Sequence, residues 1–382
     1  MGGSRGKRVA RVARASVVTR RIERSGRWAG GRGRAKCGLG VGHSRLSTVL
    51  FKTDIRRRVA RRSRSAIIKS KDSALSVSNF HQPAMLDEAV RYLAPERGGV
   101  FLDGTLGGGG HAEAILRTSS EGSLLATDKD SESLDQARER LAAYGDRFSG
   151  VQGDFADAKE LFGLGEGALA GVLLDLGVSS HQIDTIERGF SFRPGASLDM
   201  RMSGQGTTAA ELLETATVDE LTEIFRTYGE IRRARRLAAE IVENRKHSGL
   251  RTSNDLVRVV EDVWGRPPAA SDLARIFQAL RIAVNQELES LERALPDLRD
   301  LLAPGGRFVV ISYHSLEDRL VKRGFREWSR DCVCPPGIPV CQCRGRPLGR
   351  TLTRGPDRPT AEEVEKNPRS RSARLRAWER GE

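Results

Sequence analysis

The chain has 382 residues, with 64 Lys and Arg against 50 Asp and Glu and a net charge of +14. Of the basic side chains 22 fall in residues 1–71, where the only acids are Glu23 and Asp54, so that segment carries +20 and the remainder −6. This asymmetry excludes a uniformly basic nucleic-acid-coating protein; five cysteines are too few for a disulfide scaffold, and no apolar run is long enough to span a membrane.

Residues 1–71 are rich in Arg, Ser, Ala and Val, with clusters at Arg56-Arg57-Arg58 and Arg61-Arg62 and no apolar stretch of secretory type. That is the composition of an organelle transit peptide. The alternative is a retained basic arm that touches RNA phosphates. Cleavage is expected between Arg56 and Phe80. The length of the leader and its Ser, Ala and Val content put a plastid ahead of a mitochondrion.

The texture changes after Asn79. Val100–Asp103, Leu124–Asp128, Val151–Phe155 and Gly171–Asp175 are short apolar runs that end in or near an acid, and helical patterns begin at His111 and Ser131. Apolar strands alternating with helices imply a parallel sheet covered on both faces. Beyond Asp175 helical spacing takes over. Val218, Leu221, Ile224, Phe225 and Tyr228 form one stripe, Leu237, Ala238, Ile241 and Val242 another, and Leu273 through Leu295 a long third. Strand texture resumes at Arg307–Ser312. The expected organisation is an α/β domain in two parts, 75–184 and 285–343, a helical insertion at 185–284, and a basic tail at 344–382 lying over the surface.

A glycine turn follows the first strand: Asp103-Gly104-Thr105-Leu106-Gly107-Gly108-Gly109-Gly110-His111. Glycines let a ligand approach the backbone, and the helix start behind them offers free N–H groups. The dinucleotide pattern fails, because Ala112 or Glu113 stands where its third glycine belongs, and no Gly-Lys-Ser/Thr follows. The arrangement suits S-adenosylmethionine. Asp128 at the second strand tip is placed for the ribose hydroxyls. Asp103 and the amides around Gly107, Gly109 and Gly110 are placed for the methionine end. Phe155 is placed to stack on the adenine, with Asp154 taking its amine.

The same glycine string resembles the signature of the MraW/RsmH family of small-subunit ribosomal RNA cytosine-N4 methyltransferases. The resemblance continues in Leu173–Ser180, Arg188–Phe192, Leu198–Met202, Tyr228–Glu230, Phe277–Ile282 and His314–Arg319, and covers roughly residues 79–378. It implies a class I S-adenosylmethionine-dependent methyltransferase fold with an inserted all-helical domain. It implies S-adenosylmethionine as donor and, as substrate, a decoding-region cytosine equivalent to cytosine 1402 of the bacterial RNA. Carried over by motif, the cofactor contacts are Gly109, Gly110, His111, Asp128, Phe155, Asp175 and Gln182. The implied partner is small-subunit rRNA or the assembling small subunit, with pairing into a homodimer admitted and no membrane. Two departures stand out: Tyr313 occupies a position that is Phe in the family, and Ala270–Arg275 replaces a His-Pro-Ala-Thr-Arg string.

Cytosine N4 is a weak nucleophile, so its methylation needs alignment and an acceptor for its N–H. Asp175, or a carbonyl beside it, is the candidate acceptor, since Asp175–Ser180 takes the place of the Asp/Asn-Pro-Pro-aromatic string of other amino-methyltransferases. His314 is the second catalytic candidate. Ser315 and Asp318 read as N-cap and N3 of a capping box for helix 316–328. Phe190, Phe192 and Arg201 are candidates to hold an extruded base. Arg232-Arg233, Arg235-Arg236 and the arginines of the tail are candidate RNA patches. Cys332, Cys334, Cys341 and Cys343 form two C-x-C pairs, either a tetrahedral metal site or reduced and redox-active thiols. The alternatives to the rRNA enzyme are a methyltransferase of the same fold on another RNA, a non-catalytic ribosome-assembly factor and a nicotinamide-dependent oxidoreductase.

Overall fold

The computed structural model describes residues 83–335 and 340–382; the leader and the expected cleavage window lie outside them. Seven strands form one sheet: β1 Val100–Asp103, β2 Ser123–Asp128, β3 Phe148–Gln152, β4 Leu169–Asp175, β5 Leu302–Ser312, β6 Gly349–Thr351 and β7 Arg374–Arg380. Their order is β3-β2-β1-β4-β5-β7-β6. β1 to β5 pair in parallel, and β7 runs antiparallel to both β5 and β6. This is the sheet of a class I methyltransferase.

Side-chain alternation along each strand builds two cores. Leu102, Val172, Leu174, Phe308 and Val310 face helices Glu287–Leu301 and Ser315–Trp328, whereas Phe101, Leu124, Leu173, Val309 and Ile311 face helices Leu86–Leu93 and Gly110–Thr118. With both faces covered, function is left to the carboxyl ends of the strands, where a ligand crevice forms in open α/β sheets.

Four sequence expectations shift. β3 starts three residues before Val151, and Asp154 caps a short turn by accepting from the Ala156 N–H at 2.9 Å. The helix after β5 begins at Ser315, with His314 as its N-cap and Glu317, not Asp318, at N3. Asp318 instead pairs with Arg376 at 2.7 Å. The basic tail does not drape over the surface. It supplies β6 and β7, and its Trp378 is fully buried. Many of its arginines are neutralised there, Arg350 by Glu379 and Arg369 by Asp184, both at 2.7 Å.

The long stripe from Leu273 to Leu295 is two helices, Ala270–Asn285 and Glu287–Leu301, broken at Gln286 with φ 51°. The first half packs with helices Val218–Thr227, Ala234–Asn244 and Ser253–Trp264 around Leu221, Phe225, Ile241 and Ile276; the second joins the sheet core. Asn285 stabilises the break. Its side chain donates to Met200 O at 2.7 Å and accepts from the Met202 N–H at 2.8 Å, tying the loop before the helices to the kink. Two of the helices in this region open with reciprocal Thr-Glu boxes, at Thr208/Glu211 and Thr217/Glu220, and a third is held at its start by Asp255, which accepts from the Thr252 N–H at 2.9 Å. Among the described residues no helix is long and apolar enough to cross a membrane.

Candidate active site

A cleft opens over the carboxyl ends of β1, β2 and β4. Its lining includes Thr105, Gly107, Asp128, Phe155, Asp175, Gln182, Met202, Glu287, Tyr313 and Glu317. The glycine turn makes one wall. Gly104 is buried, and a Cβ there would collide with Leu174 and Phe155, so only glycine lets the strand turn this close to the ring. Gly107, at φ +50°, donates its N–H to Asp128 Oδ2 at 2.7 Å, and Asp130 N–H donates to Oδ1 at 2.8 Å. Each Asp128 oxygen keeps a lone pair for a ligand hydroxyl. Gly109 and Gly110 are set further back: Gly109 packs on Ala137, and a Cβ on Gly110 would collide with Pro83.

Beneath the turn sits a cluster of ionisable groups. Asp103 is 1% exposed; Oδ1 accepts from the Thr105 N–H at 3.1 Å, and Oδ2 has no hydrogen-bond partner. His111 is buried alongside, with Nε2 3.5 Å from Asp175 Oδ2. Asp175 Oδ1 accepts from the Tyr313 hydroxyl at 2.9 Å, and the Asp175 N–H donates to Thr105 Oγ1 at 2.6 Å. Burial, with the charge of Asp175 adding to it, pushes the Tyr313 hydroxyl well above its ordinary range and keeps it a donor. The departure from Phe at 313 therefore adds a hydrogen bond to the candidate acceptor. Tyr313→Phe is expected to preserve folding and lower turnover by about 10- to 100-fold, the scale of one hydrogen bond to a charged group. A single-turnover assay measures it.

The far wall is acidic as well. Glu287, lifted to the cleft by the break at Gln286, is held by Arg281 in two contacts of 2.8 and 2.9 Å. Glu317 is buried, which raises its pKa, but His314 and Arg281 outweigh burial and hold it below the ordinary carboxylate range. His314 Nδ1 accepts from the Glu317 N–H at 3.4 Å, and Nε2 lies 3.0 Å from Glu317 Oε1. His314 thus stands behind Glu317. Gln182 is fixed by the Ser179 capping box and donates to Asp130 Oδ2 at 2.8 Å.

Other sequence candidates are placed differently. Asp154 is engaged on both oxygens, Oδ1 accepting from the Ala156 N–H at 2.9 Å and Oδ2 from Lys129 at 2.9 Å and Ser290 at 2.5 Å, which leaves one lone pair on Oδ1. Arg201 is forked onto Asp199 at 2.9 and 2.6 Å, and Phe190 lies under Arg188 against the helical core. Phe192 is 37% exposed and meets Phe277 edge-on at 5.9 Å. None of Phe190, Phe192 and Arg201 is among the cleft-lining residues. Glu287, Lys129 and Ser290 reach the site without a sequence signal.

The cleft presents Asp128, Asp175, Glu287 and Glu317 against one basic side chain, Lys129, whose charge Asp154 takes. An acid-lined wall repels a pyrophosphate and attracts a cation. S-adenosylmethionine carries a sulfonium and an ammonium, so the donor set fits it and speaks against a nicotinamide dinucleotide. The MraW methylase family matches residues 78–381. The chain belongs to that family. It is 49% identical over 310 residues to the ribosomal RNA small subunit methyltransferase H of Pelobacter propionicus, covering 78% of this chain and 98% of that protein. It is also 49% identical over 302 residues to the protein of the same name from Gemmatimonas aurantiaca, covering 78% of this chain and 95% of that protein. This MraW-family chain is therefore an S-adenosylmethionine-dependent methyltransferase, and its acid-lined cleft is the candidate site.

Burial, offset in part by its backbone hydrogen bonds, pushes Asp128 up to about 6, and Asp103 likewise reaches about 6 through burial. With the ionised Asp128 placed to accept from ligand hydroxyls, cofactor affinity is expected to fall as pH drops through about 6, measurable by calorimetry between about pH 5 and 8. For stability the sign is opposite. A carboxyl whose folded pKa lies above its unfolded one binds more protons in the folded state, so its contribution is fully present below about pH 4 and is lost as pH rises through about 6. Asp103→Asn is then expected to stabilise the ligand-free protein at neutral pH by up to about 3 kcal/mol while weakening cofactor binding. Denaturant melts at neutral pH with and without cofactor measure both.

Proposed function

We propose that this protein methylates the N4 amine of a decoding-region cytosine in the small-subunit ribosomal RNA of an organelle. The carrying observation is Asp175, a strand-end carboxylate oriented by the Tyr313 hydroxyl at 2.9 Å and open to the cleft shared with Asp128. The bound donor supplies an electrophilic methyl group carried on sulfur. Asp128, the Gly107 turn and Phe155 hold its nucleoside half. Asp103, His111 and the glycine-loop amides support the turn at its methionine half. Asp175 accepts an N4–H, which fixes the amine lone pair toward the methyl group and then takes up the proton that the methylated nitrogen sheds. Tyr313 keeps the carboxylate in one rotamer, and no strong base is needed, because the cationic product nitrogen is acidic.

The relatives' names support the RNA and subunit, since each is a small-subunit rRNA methyltransferase. The +20 leader ahead of a −6 body supports delivery to an organelle, with a plastid preferred. Such a body finds RNA by shape and local contacts more than by bulk charge. The test is transfer of label from S-adenosylmethionine to small subunits that lack the mark, followed by nucleoside digestion. N4-methylcytidine is the expected product, and label in any other nucleoside refutes the assignment. Edman sequencing of protein from the organelle checks the leader: a new N-terminus between Arg56 and Phe80 is expected, and an intact residue 1 contradicts it.

A further inference from the structure

The described residues leave one cluster that the methyl-transfer site does not use. Cys332, Cys334, Cys341 and Cys343 all stand as free thiols, and their four sulfurs lie within 4.8 Å of one another. They sit in the connection between helix Ser315–Trp328 and β6. Free cysteine is ordinarily among the most buried of residues. In this loop Cys332 and Cys341 are exposed and Cys334 and Cys343 half-buried, and Val340 beside them is 71% exposed. No apolar packing gathers these sulfurs.

Their spacing is informative. Sγ–Sγ distances are 3.8 Å for Cys332–Cys341 and for Cys332–Cys343, 3.9 Å for Cys334–Cys341 and 3.4 Å for Cys341–Cys343. A zinc–sulfur bond of about 2.3 Å sets the edge of a sulfur tetrahedron at about 3.8 Å. Two backbone amides point at the sulfurs: Val333 N–H donates to Cys343 Sγ at 3.4 Å and Gln342 N–H to Cys334 Sγ at 3.3 Å. The donors alternate between the two C-x-C arms, so each arm braces the other.

We infer that Cys332, Cys334, Cys341 and Cys343 bind one zinc ion in a closed, four-thiolate structural site. Four sulfurs leave no open position for water, so the ion takes no part in catalysis. Its role is to fold a connection that has no core of its own. Arg344, directly after the last ligand, donates to the carbonyls of Glu327 at 2.7 Å and Arg330 at 3.2 Å, closing the end of the helix whose first turn carries Glu317. The ion thus pins the loop to the helix that forms one wall of the cleft.

The full chain, purified without chelator, tests this by elemental analysis and thiol titration. The expected result is about one zinc per chain, with four of the five cysteines slow to react until a chelator is added. Cobalt added to the stripped protein should give the visible bands of a tetrahedral thiolate site. The double variant Cys332→Ser, Cys343→Ser should lose the zinc and expose the loop to protease while cofactor affinity stays within about twofold. Absence of metal, with either five freely reactive thiols or four locked in disulfides, overturns the inference without touching the methyltransferase assignment. Because the metal count is made on the unaltered chain, the test holds even where the double variant misfolds.

Discussion

Asp175→Asn is expected to lower methyl transfer by about 10²- to 10³-fold, the usual cost of removing one preorganised stabilising group. Asn has the same shape and still accepts from the Tyr313 hydroxyl, and the backbone N–H that holds Thr105 Oγ1 is untouched. Folding should therefore be unchanged. What is lost is the charge facing His111, and with it an acceptor for the N4 proton. Single-turnover rates on small subunits, read beside calorimetric cofactor affinity, separate the two possible effects. A fall in rate at near-normal affinity matches a carboxylate that acts on the cytosine amine. Turnover within about threefold of the parent removes Asp175 from the chemistry.

Trp378→Ala is expected to cost about 3–5 kcal/mol of stability, the range for deleting a large buried aromatic side chain. Trp378 lies on β7, wedged between β5 and β6. Its ring meets Trp328 edge-on at 5.3 Å and lies 6.4 Å from Phe325, and its Nε1–H donates to Ser329 Oγ at 3.1 Å. The truncation leaves a cavity and removes a donor from that hydroxyl beneath helix Ser315–Trp328, whose N-terminal end carries Glu317 into the cleft. Urea unfolding of the full chain measures the loss. A change under about 1 kcal/mol contradicts the placement of β7 in the core.

The elements nearest the cofactor are plain in the sequence, because β1, β2 and β4 are apolar runs closed by Asp103, Asp128 and Asp175. β3 is less plain for a physical reason: Phe148-Ser149-Gly150-Val151-Gln152 is an edge strand with no fully buried position, so its apolar signal is diluted and the glycine within it blurs the start. The tail misleads by composition. In Arg374-Leu375-Arg376-Ala377-Trp378 a period of two is present and its arginines read as a solvent face, whereas Arg376 is buried and Asp318 takes its charge inside the fold. The break at Gln286 carries neither glycine nor proline. Its left-handed backbone is stabilised from outside the helix, by Asn285 gripping Met200 and Met202, and no local pattern announces that. The wall built from Glu287 and Glu317 is hidden for the same reason. One depends on that break, and the other on a helix that starts at Ser315 with a histidine as its cap. The cysteine pairs are visible as a pattern, but only the folded loop brings the two arms together.

The most direct measurement is nucleoside mapping of small-subunit rRNA from the organelle in cells with and without this protein. The prediction is that N4-methylation of the decoding-region cytosine disappears in its absence and returns with the unaltered chain but not with Asp175→Asn. Methylation that persists unchanged without the protein would contradict the proposed substrate.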